Sequence, residues 1–126
     1  MSWSARKQAL DAVKVGDVIF GIAENGTEKL LFVSGANDRH IFTRHIGSQT
    51  RVKFGRNGKS HRTWDGGKCT IVSVAPLPDE DYATAIGLDR KMRTGKQHPD
   101  WVLSKAEIEL LRHVGEYFNA HLLPKA

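Results

Sequence analysis

Between Val18 and Val74 the apolar residues fall in short β-branched and aromatic runs, broken by turns rich in glycine and asparagine. After Pro78 the spacing becomes helical. Val18-Ile-Phe-Gly-Ile-Ala reads as a first strand and Lys29-Leu-Leu-Phe-Val as its return, ending in the loop composition of Ser34 to Asp38. Asn25-Gly26 lies between them and is the pair preferred in a type I′ hairpin turn. His40 to Ile46 and Thr50 to Phe54 follow as third and fourth strands. In the fourth, Arg51 and Lys53 alternate with Val52 and Phe54, so one face is cationic and the other apolar. Gly55-Arg-Asn-Gly58 is a second Asn-Gly turn, leading to a fifth strand from Lys59 to Trp64. Asp65-Gly66-Gly67 then turns the chain into a sixth, Lys68 to Val74.

The helical signals lie at the two ends. Trp3 to Val13 reads as a short helix capped by Ser2 or Ser4. Asp79, Glu80 and Asp81 suit a helix N-terminus, with Arg90, Lys91 and Arg93 near the far end, and Gly87 leaves open one helix or a helix and a turn. Thr94 to Asp100 reads as a loop. Ser104-Lys-Ala-Glu107 is a capping box, with Leu103 and Ile108 at the positions of a hydrophobic staple. Ile108, Leu111, Val114, Phe118 and Leu122 form an apolar stripe that Leu110 and Tyr117 widen and Pro124 ends.

Three turn signals in so short a stretch predict an antiparallel meander, which protects its edges by curling into a barrel or lying under a helix. The Val15-Gly16-Asp17 lead-in to a strand, followed by tight hairpins, resembles the opening of SH3-like small β-barrels. These include the KOW-type barrels of translation and transcription proteins. The resemblance spans roughly Lys14 to Val74 and implies a barrel fold and, through it, a binding module. The expected class is α+β: a small antiparallel SH3-like barrel of five or six strands followed by a C-terminal helical part. Within a single domain spanning 1–126, the barrel core occupies 14–75, and the helical part, 79–123, packs on the barrel or on a second copy of the chain.

Composition narrows this further. The 126 residues suit one domain, and 40% hydrophobic with 26% charged residues is globular rather than disordered. No apolar run approaches the roughly 18 residues of a membrane span, and the N-terminal residues lack a signal-peptide pattern, so the cytoplasm is the expected location. With no export signal, Asn25-Gly26-Thr27 reads as a turn rather than a glycosylation site. Cys69 is the single cysteine, which excludes an intramolecular disulfide and argues against a cysteine zinc site. The charge is uneven. Residues Met1 to Asp38 carry a net −1, Arg39 to Lys68 carry eight Lys/Arg against Asp65 alone, and the remainder is again −1.

That basic middle third is the strongest functional signal. Arg44, Arg51, Lys53, Arg56, Lys59, Arg62 and Lys68 are the expected phosphate contacts, with Trp64 as the stacking aromatic, while Phe42 and Phe54 read as core. The expected partner is nucleic acid, RNA or single strands, with no cofactor and no metal. Gly58-Lys59-Ser60 is not a P-loop, because Lys53 stands where that motif needs its first glycine and the segment reads as a hairpin. Asp38, His40, His45 and His61 make no metal set, because His40 and His45 point to opposite faces of one strand, and Glu109 with His113 reads as a solvated pair. Cys69 opens an apolar strand as a small buried hydrophobe. Two alternatives stand beside nucleic-acid binding. One is an assembly module that dimerises through the C-terminal helix, with Leu110, Val114 and Tyr117 in the seam. The other is a basic phosphodiester hydrolase with His61 or His45 as proton carrier near Arg62, Trp64 and Asp65.

Overall fold

The computed structural model describes residues 2–46, 51–60, 68–93 and 105–123. The elements are α1 (Ser2–Asp11), β1 (Val18–Ala23), β2 (Glu28–Ala36), β3 (His40–His45), β4 (Arg51–Gly55), β5 (Cys69–Ser73), α2 (Asp79–Arg93) and α3 (Lys105–Asn119). All strand pairs are antiparallel, in the order β4-β3-β2-β1-β5. The sheet is a curled half-barrel, bent by register shifts at Phe20/Gly21 and Val33/Gly35. Isolated bridges Phe54↔Ser60 and Lys59↔Thr70 link its two outer strands, so Ser60 and Lys59 tie β4 to β5. Of the expected fifth strand, Lys59 to Trp64, the described residues show only these two isolated bridges; its remainder, and the Asp65-Gly66-Gly67 turn, lie outside them.

Both faces of the sheet are covered near β1, which explains why Val18 to Ala23 shows no polar alternation. On the concave side Ile19, Leu31, Val33, Ile41, Val52, Phe54 and Ile71 pack beneath Leu10 and Val13, at and just beyond the end of α1. On the convex side Val18, Phe20 and Leu30 meet Ala85 and Leu88 of α2 and Leu110, Val114 and Phe118 of α3. The rings of Phe20 and Phe118 stack with centroids 5.0 Å apart and planes 13° off parallel. Gly87 does not interrupt α2, which runs as one helix.

The face of α3 differs from the expected one. Of the expected seam residues, Leu110 and Val114 are buried against the sheet and Tyr117 is half-buried beside them, while Ile108 and Leu111 are 39% and 41% exposed. A stripe as wide as this one can be rotated onto its support in more than one way. Phe20 selects the rotation that buries Phe118. The helix ends at Asn119 rather than near Pro124, because the following residues turn back onto β5: Leu123 N donates to Val72 O at 2.8 Å and Ser73 Oγ to His121 O at 2.7 Å. Leu103, Ser104 and the Thr94–Asp100 stretch lie outside the described residues.

The two Asn-Gly hairpins are not type I′ turns. That turn needs positive φ at both central residues, and Asn25 and Asn57 have negative φ, while Gly26 and Gly58 sit at +87° and +82°. Gly26 N donates to Ala23 O and Ala23 N to Thr27 O; Gly58 N donates to Gly55 O and Gly55 N to Lys59 O. Both are therefore three-residue loops, a type I turn followed by a left-handed glycine. Each asparagine Oδ1 instead accepts the N–H two residues on, from Thr27 and from Lys59. Among the described residues no helix is long and apolar enough to cross a membrane.

Candidate nucleic-acid interface

Strand alternation divides β3 cleanly. Ile41, Thr43 and His45 are buried, whereas Phe42 is exposed and His40 and Arg44 are partly so. On β4, Val52 and Phe54 turn inward and Arg51 and Lys53 outward. The register sets Phe42 opposite Lys53 and Arg44 opposite Arg51. An aromatic ring and three cations thus share one patch of the outer sheet face. The helical layer stops short of it, since no β4 residue enters the core that α2 and α3 form with the sheet. What remains is an open groove of about 640 Å³, with Ser34 and Gly35 of β2 on one side and Arg51 and Lys53 on the other.

Phe42 is 37% exposed, contrary to the expectation that it belongs to the core, while Phe54 is fully buried as expected. The signal was available in the parity of the strand: Phe42 lies two residues from both His40 and Arg44, so it shares their face. Beneath it, β2 bulges at Val33/Gly35, and a Cβ on Gly35 would lie 3.4 Å from the ring. His40 contacts the ring from its own strand, with centroids 5.8 Å apart.

The other cations take different positions. Arg44 marks the boundary between groove and helical layer: Nη2 lies 3.1 Å from Asp89 Oδ2 of α2, and the guanidinium covers the Phe32 ring at 5.1 Å. Two like charges directly opposite one another destabilise a sheet, and Asp89 relieves the Arg44–Arg51 pair by neutralising one member. Arg56 points away from the groove, donating from Nε to Asn37 O at 2.7 Å and from Nη1 to Leu10 O at 3.1 Å. It clamps the β2–β3 loop and the end of α1 to the second hairpin. Lys59 is exposed near α1, and Lys68 is exposed beside Glu24, whose Oε1 accepts its backbone N–H at 2.6 Å. Arg62, Trp64 and His61 lie outside the described residues. The linear basic segment is therefore split, with Arg51 and Lys53 together in the groove, Arg44 at its margin, and Arg56, Lys59 and Lys68 elsewhere.

The remaining titratable candidates are dispersed over the described part. His45 is buried on the inner side of β3, and His40 lies outside it. Asp38 is exposed. His113 Nε2 stands 3.7 Å from Asp81 Oδ1, and Glu109 pairs with Arg112 rather than with His113. Among the described residues no group of three His, Cys, Asp or Glu side chains could hold a metal ion. Cys69 is buried as expected, and burial raises its thiol pKa from 9.0 to about 11 against the smaller lowering by the Lys29 charge and the Thr70 backbone hydrogen bond. The sign of the resulting pH dependence follows directly. Above pH 9.0 the unfolded thiol ionises first, so the stability that this group contributes is full below that pH and is lost as pH rises toward about 11. Urea unfolding is expected to show the wild-type chain losing stability relative to Cys69→Ala across that window and not below it. A constant difference from neutral pH to about pH 11 contradicts a buried neutral thiol.

Comparison with protein-family models, with curated proteins and with solved structures finds no match for this chain.

Proposed function

We propose that this chain is an SH3-like barrel that binds single-stranded nucleic acid, RNA foremost, on the outer face of β3 and β4. The observation that carries the reading is the exposed Phe42 set directly opposite Lys53, with Arg51 next along the same strand face. A ring open to solvent offers a stacking surface for an unpaired base, worth about 1–3 kcal/mol per base. The cations beside it displace counterions from a phosphate backbone. Paired bases keep their faces stacked inside the helix, so this patch favours single strands over duplex. Arg51 and Lys53 are the proposed phosphate contacts and Phe42 the stacking residue, with Arg44 as an auxiliary contact held in place by Asp89. The barrel assignment rests on the β4-β3-β2-β1-β5 meander and on the bridges at Lys59 and Ser60 that join its outer strands.

The test is fluorescence anisotropy with labelled single-stranded and duplex RNA and DNA at several salt concentrations. Micromolar or tighter binding to single strands, weaker for duplexes and falling steeply with salt, is the expected result. Absence of binding at low salt overturns the reading.

A further inference from the structure

A second groove, separate from the β3–β4 face, lies between α1, the hairpin around Asn57, β5 and the returning C-terminal residues. It holds about 580 Å³, within the range of small-molecule sites. Its floor is apolar. Leu10 and Ile71, both buried, belong to the barrel core, and Val72, Leu122 and Leu123 continue the surface outward. Leu122 is 53% exposed, an apolar side chain presented to solvent at the groove wall. That wall is anchored, because Leu123 N and His121 O are both bonded to β5.

The rim is cationic, and its two arginines are held in position. Arg6 Nη2 donates to Asn57 O at 3.3 Å and to Ile71 O at 3.4 Å, and Arg56 donates to Asn37 O and Leu10 O. Carbonyl oxygens orient these guanidinium groups without neutralising them. Among the described residues Asp11 is the one acid on the lining, and it is paired with Lys7 at 2.7 Å. Arg6, Arg56 and Lys59 therefore have no carboxylate partner among the described residues. A polyanion would satisfy the rim and leave the floor wet, whereas a neutral apolar ligand would fill the floor and leave the rim unmatched. An ordered cationic rim over an apolar floor matches one chemistry best, since held cations bind an anion with little further ordering.

We propose that this groove is a binding site for a small amphiphilic anion, an alkyl or aryl carboxylate whose body lies on Leu10, Ile71 and Leu122 and whose charge meets Arg6, Arg56 and Lys59. The site is independent of the nucleic-acid reading and shares none of its contact residues.

Dodecanoate is the probe, used below its aggregation concentration and compared with dodecanol by calorimetry and by amide chemical-shift mapping on the full chain. One dodecanoate is expected to bind per chain, at least tenfold more tightly than dodecanol, shifting the amides of Leu10, Ile71 and Leu123 and leaving those of Phe42 and Lys53 in place. Lys59 and Leu122 are exposed, so Lys59→Glu and Leu122→Asp leave the core intact. Lys59→Glu is expected to weaken dodecanoate at least tenfold and dodecanol little, and Leu122→Asp to weaken both. The proposal is overturned by non-saturable binding, by equal affinity for the two probes, or by shifts centred on β3 and β4. Displacement of dodecanoate by an RNA oligonucleotide mapping to this groove also overturns it, by making the groove part of a nucleic-acid surface.

Discussion

Phe118→Ala is expected to lower the free energy of unfolding by about 3–5 kcal/mol, the largest stability effect of any single substitution considered for this chain. Phe118 has no exposed surface, stacks on Phe20 of the central strand β1, and meets Tyr117 edge-on at 5.3 Å. Truncation removes the ring's transfer free energy and leaves a cavity between two rigid layers. The neighbours that would have to close it, Leu110 and Val114, are anchored on the same helix and pack on the same sheet face. The ring also fixes which side of α3 faces inward, so its loss loosens the whole helical layer. Urea unfolding followed by circular dichroism measures the effect. A loss below about 1 kcal/mol means that α3 is not held to the sheet by this contact.

Asp89→Ala is expected to have opposite effects on stability and on binding. Asp89 is 2% exposed and Arg44 is only partly so, and their contact links α2 to the β3–β4 face. Removing one partner of a buried ion pair costs about 3–5 kcal/mol because the other charge is left behind without compensation. Arg44 retains an 18% exposed edge toward the groove, which places the expected loss near the lower end, about 3 kcal/mol. The same change leaves Arg44 facing Arg51 with both charges uncompensated, which adds a cation to the phosphate-binding patch. Lower thermal stability with tighter single-strand binding at low salt is the expected combination. A variant of wild-type stability contradicts a structural role for the pair.

Four strand positions were legible because each apolar run is bounded by glycine, asparagine or proline, which cannot easily continue a strand. The observed β1, β3, β4 and β5 fall within a residue of the boundaries that these turns imply. The turn chemistry itself was misread. Asn-Gly suits type I′ when it fills both central positions of a two-residue loop, but here the preceding residues Glu24 and Arg56 join the loop, and the asparagines keep negative φ. Sequence spacing does not reveal where the last ladder bond falls. β2 ran three residues longer than its apolar run, through Ser34 to Ala36, because a bulge lets polar and small residues keep pairing with β3.

The candidate site was half legible. Period-two alternation placed Arg51 and Lys53 on one face, and that placement needs only the strand. Hydrophobicity alone places Phe42 in the core, whereas the parity of β3 places it outside. The basic segment does not form one strip in space. Charge in sequence becomes charge in space only through the fold, and here Asp89 of a distant helix takes up Arg44 while two carbonyls take up Arg56. Neither partner can be inferred from the spacing of the cations. The orientation of α3 was equally hidden, since six large apolar residues on one helix offer several faces and the choice is made by Phe20 on the sheet.

The most direct measurement is the salt dependence of single-stranded RNA binding for the wild-type chain, for Arg51→Gln/Lys53→Gln and for Phe42→Ala. Loss of two phosphate contacts is expected to flatten the slope of log K against log salt by about 1.4, at about 0.7 per contact on a single strand. Phe42→Ala is expected to weaken binding about fivefold to 150-fold at every salt concentration, with the slope unchanged, because stacking releases no ions. Wild-type affinity and slope in the double variant, or undiminished binding by Phe42→Ala, would contradict the assignment of the β3–β4 face as the nucleic-acid surface.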